Sequence, residues 1–123
     1  MISKKLFSFS KTKIGDVIVG LSFGKLSKIL PVKRIIETDK VIAFWHPKPS
    51  YKKHILIVPK KPIKNLTSIK KDDLKYIDEV FVVVKELVKK LDLEKEGYTL
   101  LINGGKTQEV KQLHFHLISQ EKP

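Results

Sequence analysis

Gln112-Leu113-His114-Phe115-His116-Leu117-Ile118 is the stretch on which the fold turns. Successive side chains of an extended strand point to opposite faces. Gln112, His114, His116 and Ile118 therefore share one face, and Leu113, Phe115 and Leu117 share the other. The alternation predicts a strand over Val110–Ile118 whose apolar side packs beneath a helix and whose open side carries two imidazoles about 7 Å apart. Only four histidines occur in the chain. Two of them side by side on one strand face can supply a nucleophile, a proton carrier or a metal ligand near neutral pH.

Upstream, Tyr98–Ile102 reads as another strand, joined to this one by the polar loop Asn103-Gly-Gly-Lys-Thr-Gln-Glu109. Leu74, Ile77, Val80, Phe81, Val84, Leu87, Val88 and Leu91 recur at three- and four-residue steps, with Lys75, Asp78, Lys85, Lys89 and Lys90 between them. That spacing predicts an amphipathic helix over residues 72–91. Asp72 and Asp73 at its start and Lys89 and Lys90 at its end suit the helix dipole. Val82 and Val83 widen the apolar face enough to meet a sheet and a second chain. Val32–Glu37 and Lys40–Trp45 flank the turn-prone pair Thr38-Asp39 and read as a hairpin. The loop from His46 to Lys53 is punctuated by Pro47 and Pro49, and His54–Val58 is a short β-branched run. Five strands and one long helix make an α+β domain. In residues 1–28, Gly15, Gly20 and Gly24 interrupt every period, and Ile18–Phe23 fits either a short helix or a strand.

The chain has 123 residues, enough for one domain with a real core, and 41% of them are hydrophobic against 31% charged. Disordered, collagenous and large multidomain classes are excluded. Cysteine is absent, which removes disulfides, thiolate metal sites and a Cys nucleophile and points to a reducing, cytoplasmic setting. The basic start of the chain is followed by an apolar stretch that Ser8, Lys11 and Lys13 break, so neither a signal peptide nor a spanning segment is expected. The formal net charge of +12 attracts phosphates of any kind. A single arginine, Arg34, among 25 basic residues argues against a dedicated nucleic-acid reader. Nucleic acid stays a secondary partner class.

Gln108-Glu-Val-Lys-Gln-Leu-His-Phe-His-Leu-Ile118 resembles the signature of the histidine triad (HIT) proteins, in which three histidines alternate with apolar residues after a Gln-x-Val segment. Asp39–Phe44, His54–Lys60, the long helix and Gly97–Asn103 follow in that family's order. The resemblance covers roughly Pro31 to Ile118. It implies a HIT-like α+β fold: a five-stranded antiparallel sheet packed with one long helix and a short N-terminal helix, with residues 1–28 an extension and residues 29–123 the domain. It also implies a nucleotide hydrolase or transferase acting at the α-phosphate through a covalent nucleotidyl-histidine, without metal or other cofactor. In that scheme His114 is the nucleophile, oriented by the carbonyl of Gln112, and His116 stabilises charge beside it or, as an imidazolium, protonates the leaving group, with His54 as an additional site histidine. Asn103 and the loop Thr107, Gln108, Glu109 and Val110 bind phosphate, and Phe44 walls the base pocket. The family is commonly homodimeric through the long helix and a neighbouring strand.

The departures are specific. Gln112 replaces the first triad histidine, an amide that donates but cannot titrate. His46 stands where relatives carry an acidic ribose ligand, and the phosphate loop is about two residues short, with Lys106-Thr107 in place of glycines. The chain runs only to Pro123 after the last strand, where the family carries a selectivity segment. These departures leave open a catalytically weakened nucleotide-binding protein. His114 and His116 could also be two polar residues on a solvated face. A metal site, with His54 or His46 as third ligand, lacks an obvious completing carboxylate other than Glu109.

Overall fold

In a computed structural model that describes residues 11–23 and 32–119, the chain forms an antiparallel five-stranded sheet between two helical layers. The elements in order are α1 (Lys11–Ser22), β1 (Arg34–Glu37), β2 (Val41–Trp45), β3 (His54–Pro59), α2 (Leu74–Lys90), a single turn α3 (Leu93–Glu96), β4 (Tyr98–Leu101) and β5 (Phe115–Ser119). Their spatial order in the sheet is β1-β2-β3-β5-β4.

The hairpin forms as read. Thr38 Oγ1 accepts the amides of Lys40 (3.2 Å) and Val41 (3.0 Å), so the side chain closes the turn that β1 and β2 need. Strands β2 and β3 alternate between two separate cores. Val41, Ala43, Ile55 and Ile57 meet Val80, Val83, Val84, Leu87 and Val88 of α2. Ile42, Phe44, Leu56 and Val58 meet Val17, Ile18 and Leu21 of α1. Both faces of these strands are covered, which is why they read as unbroken apolar runs.

Residues 72–91 resolve into a short 3-10 turn, Lys71–Asp73, leading into α2. The Asp73 carboxylate accepts the Lys70 amide at 2.8 Å and pairs with Lys61. Phe81 and Val82, counted in the apolar stripe, are each 54% exposed, and Phe81 keeps an edge-to-face contact with Phe115 of β5, ring centroids 6.4 Å apart. The last strand begins at Phe115 rather than Val110. The reason lies in the chain before it: the Leu113 amide donates to Ile63 O at 2.6 Å instead of joining the ladder. Ile18–Phe23, ambiguous in the sequence, belongs to α1 through Ser22. Its interior glycines are tolerated because tertiary packing outweighs their propensity cost of about 1 kcal/mol each. The remainder of 1–28, and residues 120–123, lie outside the described residues.

Candidate active site

All four histidines of the chain line one cavity of about 470 Å³, a size suited to a small organic ligand. Three elements bring them there. His54 opens β3 and pairs with Ile118, and His116 lies in β5 opposite Leu56 of β3 and Leu101 of β4. His114 precedes β5 by one residue and keeps the same face, with its ring centroid 5.1 Å from that of His116. His46 follows β2, its amide donating to His54 O at 2.8 Å, and its ring lies 4.3 Å from that of His54.

Hydrogen bonds fix the neutral tautomer of each ring. The Nδ1–H of His114 donates to Gln112 O at 2.8 Å, so Nε2 carries an unprotonated lone pair. The Ser50 amide donates to His54 Nδ1 at 3.2 Å. The His54 proton therefore sits on Nε2, which donates to His116 Nδ1 at 2.9 Å. His116 then holds its proton on Nε2, a buried atom with no hydrogen-bond partner among the described residues. The Lys48 amide donates to His46 Nδ1 at 2.9 Å, which places that ring's proton on Nε2 as well. The result is one free lone pair beside an N–H donor that nothing satisfies, the complement of an electrophilic centre bearing an anionic oxygen.

Burial holds the rings neutral. Desolvation, then the neighbouring imidazoles, lowers His116 to about 3. Desolvation and His114 lower His46 to about 4, and desolvation and His46 lower His54 to about 4. Desolvation also lowers His114, with the Gln112 carbonyl opposing it. The imidazolium suited to His116 in the sequence reading is therefore disfavoured by burial and by the neighbouring rings.

Asn103, Thr107, Glu109 and Val110 line the same cavity. Thr107 closes a 3-10 turn, Gly105–Thr107, in which the Thr107 and Gln108 amides donate to the carbonyls of Gly104 and Gly105. Gly105 has φ +58, a conformation glycine adopts without a Cβ clash. Three expected residues do not line the cavity. Phe44 is fully buried beneath α1. Gln108 is buried and donates its Nε2 to Lys64 O at 2.8 Å, holding the loop to the body of the fold. Gln112 contributes its main-chain carbonyl, while its side-chain Oε1 is buried without a partner.

Ile14, Ile18, Lys48, Ser50 and Leu56 line the cavity and were missed. The first two had a legible signal. Ile14, Val17, Ile18 and Leu21 follow the i, i+3, i+4, i+7 pattern of an amphipathic helix. Among the described residues, no three histidines or carboxylates are arranged to hold a metal ion. His54 and His116 face each other through a hydrogen bond, which leaves their facing nitrogens unavailable as ligands.

The HIT domain family profile matches residues 28–123. An HIT-like protein of Helicobacter pylori is 34% identical over 95 residues, covering 76% of this chain and 88% of that protein. An adenosine 5′-monophosphoramidase of Candida albicans is 36% identical over 100 residues, covering 75% of this chain and 64% of that one. A histidine triad protein from Clostridium difficile superposes with a TM-score of 0.73 at 28% identity, over 87% of this chain and 91% of its own.

Proposed function

Because the chain belongs to the HIT domain family, we propose that it cleaves a nucleotide conjugate at the α-phosphate, with His114 as the nucleophile. The observation that carries this reading is the 2.8 Å hydrogen bond from His114 Nδ1 to Gln112 O, which leaves Nε2 unprotonated at the cavity. It is the acceptor the resemblance assigns, and it is a main-chain atom, so the replacement of histidine by Gln112 does not remove it. The relative named as a nucleoside monophosphoramidase supports the same class of substrate.

In the proposed reaction the Nε2 lone pair of His114 forms a bond to phosphorus as the bond from phosphorus to the leaving group breaks. The leaving nitrogen keeps the electron pair, takes a proton from water and departs as an amine. Water then attacks phosphorus, its proton passing to the hydroxide left by the first step, as the N–P bond breaks and the pair returns to His114. His116 acts as a neutral donor to a phosphate oxygen. It is not a proton source, because its own Nδ1 and the Nδ1 of His54 already accept hydrogen bonds. The unsatisfied Nε2–H of His116 gains its partner when the charge develops, which favours the transition state. Asn103 and the amides following the Gly105–Thr107 turn hold the remaining phosphate oxygens. Ile14 and Ile18 of α1 offer an apolar wall to the base in place of Phe44.

Incubation with adenosine 5′-phosphoramidate should release adenosine monophosphate, and acid-labile nucleotide should be recovered on His114 after quenching. His114→Ala should abolish both while leaving nucleotide binding. Wild-type protein that binds AMP but never turns over would overturn catalysis and favour a nucleotide-binding protein weakened at Gln112.

The chain is also proposed to form a homodimer. Strand β4 ends the sheet with one edge unpaired by any other described strand, and Phe81, Val84, Val88, Tyr98 and Leu100 line a hollow beside it. An open edge next to exposed aromatic surface suits a symmetric partner. No described helix is long and apolar enough to cross a membrane.

A further inference from the structure

We infer that Gln108 is a positioning residue for the proposed reaction. Without touching the substrate, it ties the polar loop that begins at Asn103 to the carbonyl of Lys64, and so sets where that loop stands relative to His114. The inference rests on the nucleotide reading above. The loop has little else to place it. Asn103, Gly104, Gly105, Lys106 and Thr107 are all exposed, and a Cβ added at Gly104 or Gly105 would meet nothing within 4 Å. The Thr107 amide and hydroxyl donate to Gly104 O and the Gln108 amide to Gly105 O, bonds that hold the loop's shape but not its place.

At Gln108, 5% exposed, the chain leaves solvent. From there two adjacent carbonyls grip both ends of one bend: Lys64 O accepts Gln108 Nε2 at 2.8 Å, and Ile63 O accepts the Leu113 amide at 2.6 Å. Lys111 Nζ braces the bend by donating to Gln108 O at 2.9 Å. Val110, inside the bend, packs against the α1 core. His114 follows at once, and the carbonyl that orients it belongs to Gln112 of the same bend. The gripping segment is itself anchored. Ile63 is buried in the α2 core. Beyond Lys64, the Asn65 side-chain oxygen accepts the Ser68 amide at 3.0 Å and the Ser68 hydroxyl at 2.7 Å, capping the 3-10 turn Leu66–Ser68. In-line attack needs phosphorus held against His114 Nε2, and a misplacement of about 1 Å costs about a hundredfold in rate. A loosened loop can still meet a resting phosphate but loses that alignment, so the loss falls on kcat rather than on affinity.

Gln108→Met keeps the length and apolar stem of the side chain but cannot donate. With adenosine 5′-phosphoramidate it should lower kcat by about tenfold to a hundredfold, while the Kd for AMP, read by calorimetry, changes by less than about twofold. Exchange of the Thr107 and Gln108 amides with deuterated water should speed up in the same variant. Asn65 does not line the cavity, yet Asn65→Ala loosens the segment that grips Gln108 and should lower kcat several-fold with KM unchanged. A role in folding alone predicts no such loss. Unchanged kcat in folded Gln108→Met overturns the inference, as does a loss confined to AMP affinity, which would make the side chain a phosphate ligand. If that variant does not fold, Asn65→Ala decides, and an unchanged kcat there overturns the inference. Wild-type protein that releases no AMP overturns the hydrolase reading and this inference with it.

Discussion

Acidification from pH 7 to pH 5 should cost this protein stability through the histidines of its cavity. His54 is buried and its pKa falls from 6.5 to about 4 on folding. A base whose folded pKa is lowered contributes fully above the unfolded value. The contribution is lost as pH falls from 6.5 toward 4, and it is constant below that. For His54 the loss between pH 7 and pH 5 is about 2 kcal/mol, from one proton bound by the unfolded chain and refused by the fold. His46 and His116 act in the same direction, but four rings in one cavity titrate as a group and their shifts do not add. Asp73, whose carboxyl the Lys61 ammonium holds below the usual carboxylate range, titrates beneath this window. Because all four histidines line the cavity, ¹³C-histidine NMR reports on the site alone, and urea unfolding at the two pH values reads the stability. Imidazole midpoints clustered near the ordinary 6.5, with unchanged unfolding free energy at pH 5, would refute the reasoning.

His54→Phe keeps the ring volume but removes the hydrogen bond to His116 Nδ1. It should lower kcat by about tenfold, the scale of one lost hydrogen bond, with little change in KM. His54→Gln, whose amide can still donate, should recover part of the loss. An unchanged kcat in the Phe variant would show that His54 does not set the His116 tautomer. Sedimentation at micromolar concentration should give a dimer, and Phe81→Glu should give a monomer with an unaltered circular dichroism spectrum. A monomeric wild type would remove the dimer from consideration.

The shared face of His114 and His116 was legible because strand alternation is a local property. Once Phe115 and Leu117 must face α2, His114 and His116 have nowhere to go but the other side. The helix over 72–91 was equally visible, since its caps and its period lie within its own residues. Phe44 was harder. As an apolar residue in a strand it reads the same whether its face meets a nucleobase or a helix, and only the docking of α1 decides for the helix. Gln108 was taken for a phosphate ligand, yet its amide is engaged by Lys64 O, 44 positions away in the chain, a contact that no pattern in the sequence announces.

By itself, the sequence determined the α+β class, the hairpin, the long helix and the shared face of two histidines, because each follows from the periodicity of neighbouring residues. The tertiary structure alone decided that Ser50, His54 and His116 form one hydrogen-bonded chain. It alone decided that α1 closes the cavity. Those features depend on strands packed across the sheet and on the desolvation that packing imposes, and neither distance nor burial is written in the order of residues.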